Sequence, residues 1–179
     1  MKVPTLTTER LILRPFTDAD IEPMYQIISA KDVMRYFPPG PPITRQRAEK
    51  MVQSIQRHWE EYEYGLWAWT LREGGQLMGR VGLQRIPETG EMEVDFILGR
   101  DFWSQGYATE AGRASLRFAM DHLDPEFIVG IVHPENIASQ RVLEKIGLLR
   151  VERTRYFDMD CYLYEIRKAS DCRLRGPML

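Results

Sequence analysis

Apolar positions along this chain change their period several times, and each change marks an element. Thr8 to Phe16 reads as an opening strand that Pro15 helps to end. Asp18 suits a helix cap, and Ile21, Met24, Tyr25 and Ile28 follow at helical spacing. The run Phe37-Pro38-Pro39-Gly40-Pro41-Pro42 fits neither a helix nor a central strand and predicts a stiff loop. Thr44 caps a second helix reaching about Tyr62, with Met51, Ile55 and Trp59 on one face. Gly65 to Arg72 and Leu77 to Gln84 form a strand pair joined through Gly74-Gly75, a hairpin signal.

Glu93 to Leu98 alternates like a strand, runs into a turn at Ser104-Gln105-Gly106, and is followed by a helix to about His122. Ala111, Ala114 and Phe118 recur along that helix. Phe127 to Val132 is nearly all apolar, the mark of a buried strand. A short helix from Asn136 to Ile146 stops at Gly147, where a left-handed cap suits glycine. Leu149 to Phe157 and Cys161 to Arg167 predict two last strands paired through an Asp158-Met159-Asp160 turn. Ser170 to Leu179 has no periodicity and reads as a tail open to disorder, leaving residues 1–169 as one domain. The sequence has neither repeat nor linker, and its pattern predicts a mixed α/β sheet with helices on its faces.

Composition narrows the functional classes. With 179 residues the chain suits one domain with a substantial core. Hydrophobic residues make up 44% and charged residues 28%, as in an ordinary globular protein. A formal net charge of -2 gives no reason to expect nucleic acid or an anionic membrane as partner. No apolar run approaches the ~20 residues that span a bilayer, and the N-terminus lacks a signal-peptide core. Cys161 and Cys172 are compatible with a disulfide in an oxidising compartment, or with free thiols in the cytoplasm, the localisation expected here.

The chemistry concentrates between Glu93 and Glu110. A strand that enters a helix through Ser104, Gln105 and Gly106 leaves backbone N–H groups unpaired at the helix start, where aligned peptide dipoles add positive charge. Such a turn is an anion site, and Gly106 lets the backbone approach a phosphate closely. Glu93 and Asp95 share one side of the strand, about 6.6 Å apart along it. Acid–base groups beside a phosphate cradle suggest group transfer from a phosphorylated carrier. Neither a Gly-x-Gly-x-x-Gly fingerprint nor a Lys-Ser/Thr phosphate loop occurs to suggest a nucleotide-binding domain.

Four segments together resemble the GNAT acyltransferase superfamily, in its RimJ/RimL-type branch. Thr8 to Phe16 is similar to that branch's first strand, Trp103 to Ala111 to its acyl-CoA pyrophosphate loop, and Asn136 to Leu148 to its late helix. Glu93 stands where the branch commonly has an acidic residue on the fourth strand. The resemblance implies a mixed, largely antiparallel sheet of about seven strands with about four helices. It also implies transfer of an acetyl group from acetyl-CoA to a primary amine, on a protein N-terminus or a small molecule, by direct attack through a tetrahedral intermediate. The cofactor contacts it implies are Ile97, Leu98, Ser104, Gln105, Gly106, Tyr107, Ala108, Thr109, Asn136 and Ser139. No metal is implied. A second copy of the chain, in a homodimer, is compatible with the reading.

The chain also departs from the family pattern. Ser104 replaces the loop's usual glycine and Gln105 its usual basic residue, so a favourable charge is lost while the backbone donors remain. Many GNAT enzymes have a tyrosine seven residues after the helix asparagine to protonate the leaving thiolate; here that position is Leu143. The branch looks instead to Ser139, three residues after Asn136, and Asn136, Ser139 and Leu143 share a helix face.

In the chemistry so implied, a lysine-like amine with a pKa near 10.4 is almost entirely protonated at neutral pH, whereas an α-amine near 7.7 needs less help. Burial and mutual repulsion are expected to raise the pKa of Glu93 or Asp95 towards that of a useful base. A backbone N–H near Ile97–Gly99 would hold the thioester carbonyl. Ser139 would assist the departing thiolate, or else bond only to its own helix. Competing readings place Glu93 and Asp95 on a solvated face, His133 in a structural strand end, and Trp59, Trp67 and Trp69 in the core rather than in a substrate wall. The loop at 37–42 is either a gate or a connector. A non-catalytic acyl-CoA sensor or interaction module is the alternative function, favoured by Leu143 and opposed by Glu93 and Ser139.

Overall fold

The structure is a computed structural model, and it describes residues 3–38 and 42–168. The tail from Ser170, Cys172 and the middle of the proline loop therefore lie outside the described residues. The chain opens with β1 (Leu6–Thr7) and β2 (Leu11–Arg14), then a 3-10 turn leads into α1 (Ile21–Ser29) and α2 (Arg45–Tyr62). Next come β3 (Leu66–Leu71), β4 (Leu77–Arg85), β5 (Met92–Leu98) and α3 (Tyr107–His122). β6 (Phe127–Val132), α4 (Ile137–Lys145), β7 (Leu149–Tyr156) and β8 (Met159–Arg167) complete it. Among the described residues all eight strands join one sheet in the order β1-β2-β3-β4-β5-β6-β8-β7. The strand beyond the expected seven is the two-residue β1.

Local chemistry accounts for several boundaries. Thr44 begins α2 by accepting the Arg47 N–H at 3.2 Å. The Asp20 carboxylate takes both Arg14 guanidinium nitrogens, at 2.6 and 2.8 Å, and the Thr17 N–H at 2.8 Å, tying the start of α1 to β2. Burial pushes its pKa up, but Arg14 and Thr17 more than offset this and hold the carboxyl below its usual range. The last hairpin turns on Phe157 and Asp158, with φ of 53° and 58°, and Tyr156 pairs directly with Met159. Met159 and Asp160 therefore belong to β8, not to the turn expected from sequence, because a two-residue turn with two left-handed residues matches strand twist.

Trp59, Trp67 and Trp69 are at most 3% exposed and belong to the core, where Trp59 and Trp67 pack edge-on with Phe118. Gly79 in β4 has no room for a side chain, since a Cβ there would lie 1.9 Å from the Ile97 carbonyl oxygen. That close approach draws β4 against β5 at the centre of the sheet.

One junction positions the site. β5 and β6 run parallel and pair at Glu93–Val129. Beyond it β5 continues with β4, and β6 continues with β8. A gap opens towards the C-terminal ends of both strands, where the chain enters α3 and α4. Two helix N-termini therefore stand at the mouth of one split in the sheet.

Candidate active site

The carboxylate of Glu93 sits at the point where the strands part. Its Oε2 accepts the Gln84 Nε2–H at 2.8 Å, and the carboxylate also accepts the backbone N–H of Ile131 on β6. Gln84 lies directly opposite on β4, so the sheet register holds the pair together. Glu93 is 5% exposed, which excludes the solvated-face reading for this residue. Burial first and the neighbouring Asp95 charge second push its pKa up to about 8, against smaller opposing effects of Gln84, Arg80 and Ile131.

Asp95 lies on the same side of β5, and its surroundings differ. Arg80 Nη1 approaches its Oδ2 at 2.5 Å, in a pair largely shielded from solvent. The two carboxylates that looked equivalent in sequence are thus distinct: one has a guanidinium partner, the other an amide and a backbone N–H.

Both carboxylates face a cavity of about 230 Å³. Asn136, Ser139 and Leu143 on α4 line its other side, with His133 at the end of β6 and Tyr36 and Phe37 from the loop after α1. The His133 ring stacks on Tyr36 at 5.2 Å between centroids, and its Nδ1 accepts the Glu135 N–H at 3.2 Å. Asn136 caps α4, its Oδ1 accepting the Ser139 N–H at 3.1 Å. Half of its carboxamide is thereby committed to the helix. Ser139 Oγ has no hydrogen-bond partner among the described residues. Cys161 is buried in the same wall, and burial pushes its thiol pKa up, away from a reactive thiolate.

A second cavity, of about 310 Å³, lies further along β5. Leu98, Ser104, Gly106, Tyr107, Ala108 and Thr109 line it. Ser104 and Gly106 both have positive φ, 62° and 81°, and Gly106 starts α3 with no side-chain cap. The first-turn N–H donors of α3 are therefore left facing the cavity. Gln105 lies outside this lining; its amide turns back to donate to the Asp101 carbonyl at 2.8 Å. Arg10 braces the loop from outside, donating to the Gln105 carbonyl at 3.0 Å and pairing with Glu110 at 2.7 Å.

Of the backbone donors expected near the end of β5, Gly99 gives its N–H to the Met78 carbonyl at 2.7 Å. Antiparallel alternation directs the Ile97 N–H to β4 as well, and the Ile97 side chain is 2% exposed in the core. Ile97 is thus not brought to either cavity. Leu98 has the opposite orientation: its carbonyl accepts Trp103 Nε1 at 2.8 Å, and its N–H points into the gap.

Sequence reasoning missed the β4 partners Arg80 and Gln84, because register brings them to the carboxylates. It also missed Arg141 and Lys145, which line the second cavity from α4. Their i, i+4 spacing behind Asn136 was the available signal.

An uncapped helix start with a left-handed glycine, two basic side chains from α4 and a split sheet leading to a buried carboxylate suit a phosphorylated acyl carrier. The comparisons agree with that chemistry. Residues 10–149 match the acetyltransferase (GNAT) domain family, and the chain belongs to it. It is 31% identical over 163 residues to the uncharacterized protein YkkB of Bacillus subtilis (strain 168), covering 89% of this chain and 94% of that protein. The uncharacterized N-acetyltransferase p20 of Bacillus licheniformis is 30% identical over 171 residues, covering 92% and 96%. An acetyltransferase structure from Agrobacterium tumefaciens str. C58 superimposes with a TM-score of 0.83 at 26% identity, over 94% of this chain and 96% of that one. No helix among the described residues is long and apolar enough to cross a membrane.

Proposed function

We propose that this protein is an N-acetyltransferase of the RimJ/RimL type that moves the acetyl group of acetyl-CoA to a primary amine, with Glu93 as the base. The observation that carries the proposal is the buried Glu93 carboxylate at the split between β5 and β6, held by Gln84 and the Ile131 N–H. A carboxylate with a pKa near 8 accepts a proton from an ammonium far better than one at the ordinary value of 4.5.

The N–H groups of Tyr107, Ala108 and Thr109 would hold the carrier's pyrophosphate, with Arg141 and Lys145 supplying charge that Gln105 does not. When bound, acetyl-CoA supplies an activated thioester carbonyl. The Leu98 N–H is oriented to donate to the carbonyl oxygen as negative charge builds there. Glu93 takes the proton from the incoming amine, and the Ser139 hydroxyl donates towards the departing sulfur. Asp95, held as an ion pair by Arg80, raises the proton affinity of Glu93 through its charge.

Release of free thiol from acetyl-CoA in the presence of a panel of primary amines tests this reading. Amine-dependent release that disappears in Glu93→Gln is the expected result. Binding of CoA without release by any amine would instead support the sensor reading.

A further inference from the structure

We infer that the acceptor is a small primary amine on an uncharged, largely apolar body, with neither a second ammonium nor a carboxylate beside the reacting amine. This rests on the proposed transfer reaction and on an inventory of charge in the first cavity. Its ionisable lining among the described residues is Tyr36, Arg80, Glu93, Asp95, His133 and Cys161.

Among these groups Arg80 is paired with Asp95, and His133 is stacked on Tyr36. Arg80 and Asp95 form an ion pair at 2.5 Å. Arg80 Nε is buried without an acceptor among the described residues, and its Nη1 faces Asp95. His133 Nδ1 is taken up by the Glu135 N–H at 3.2 Å. Glu93 is then the one carboxylate without a cationic partner, and it is matched to a single amine. A second ammonium would be desolvated with no anion left to pair with it, and a carboxylate would have to compete with Asp95 for Arg80.

Apolar side chains of Phe37, Phe96, Leu143, Phe157 and Met159 surround the acid pair, and the uncharged polar groups of Gln84, Asn136 and Ser139 complete the wall. Its volume of about 230 Å³ lies below the ~300 Å³ at which drug-sized ligand pockets begin. A compact body fills such a space, whereas a tripeptide exceeds it.

Matched acceptors test the inference on the full chain with acetyl-CoA. Phenethylamine and phenylalanine differ by a carboxylate, and hexylamine and 1,6-diaminohexane differ by a second amine. A tripeptide amide beginning with Phe supplies the protein-terminus arm. The kcat/KM values for phenethylamine and hexylamine should exceed those of their charged counterparts at least tenfold, and phenethylamine should exceed the peptide. Calorimetry of the same five amines on the CoA-loaded protein measures the order independently of turnover. The expected binding order without thiol release would refute the transfer reaction and leave this selectivity standing. Equal or better use of phenylalanine, 1,6-diaminohexane or the peptide overturns the inference, as does binding of none of the five. In Asp95→Asn, where Arg80 loses its counterion, the preference for phenethylamine over phenylalanine should narrow; an unchanged ratio in a folded variant also counts against it.

Discussion

Arg80 on β4 and Asp95 on β5 are diagonal neighbours whose side chains meet at 2.5 Å, beside the directly opposed pair Gln84 and Glu93. The ion pair holds one carboxylate charged, and that charge, added to burial, makes ionisation of the other unfavourable. Two acidic residues separated by a single valine are thereby given unequal roles by their β4 partners.

Glu93 as base predicts the pH profile of kcat/KM. Activity should rise as Glu93 loses its proton through about pH 8 and then level off, and the need for the base should shrink as the amine itself becomes neutral near 10.4 for a lysine-like acceptor. Glu93→Gln should lower turnover by about 10²–10⁴-fold near neutrality and remove the rising limb, with CoA affinity little changed. Initial rates between pH 6 and 11 for both proteins check this; an unaltered rising limb in the variant removes Glu93 from the role.

Gly106 predicts a binding effect from backbone conformation. Its φ of 81° is left-handed, and a Cβ would meet only Arg10 Nη2, at an ordinary 3.6 Å. Crowding by the protein's own atoms is therefore not the issue. A valine strains the loop by about 1–2 kcal/mol and places its branch near the first-turn N–H groups. CoA affinity measured by calorimetry should fall at least tenfold in Gly106→Val. Gln105→Ala should bind nearly as wild type, since that side chain faces Asp101 and not the cavity.

Asn136 and Ser139 should separate kinetically. Ser139→Ala should reduce saturated turnover about tenfold to a hundredfold with CoA affinity retained, because its hydroxyl helps chiefly as charge develops on sulfur. Asn136→Ala removes the cap of α4 and should cost about 1 kcal/mol of stability in addition to weakening CoA binding. Thermal unfolding, Kd and kcat of the two variants give the comparison. Weakened CoA binding with intact turnover in Ser139→Ala would reassign that residue to cofactor contact.

A pH effect on stability follows from His58. Its Nδ1 donates to the Tyr64 carbonyl at 2.8 Å, and its Nε2 accepts the Arg85 N–H at 3.1 Å, a pairing that requires neutral imidazole. Burial is the main cause that lowers its pKa from 6.5. Above pH 6.5 both folded and unfolded states hold it neutral, and its full contribution is present. As pH falls below 6.5 the unfolded chain takes up the proton first, so stability is lost progressively towards the lower folded pKa. Denaturant unfolding at pH 7.5 and 5.5 should show a larger loss for wild type than for His58→Asn, with the variant less stable at pH 7.5.

The sequence by itself determined the elements and the family resemblance through local and periodic effects. The strand–turn–helix around Gly106, the Thr44 cap and the apolar run of β6 each depend on neighbours in the chain, so pattern and turn chemistry suffice to read them. The anion-binding character of the loop was legible for the same reason. Only the tertiary structure decided what each acid meets. Register placed Gln84 opposite Glu93 and Arg80 beside Asp95, the end of the β5–β6 pairing put the Ile131 N–H within reach, and ladder alternation turned Leu98 rather than Ile97 towards the gap. A strand's sequence tells which residues share a face, but the charge and hydration on that face come from strands distant in the chain. Proton affinity depends on those surroundings, so two carboxylates indistinguishable by spacing became an ion-paired acid and a candidate base.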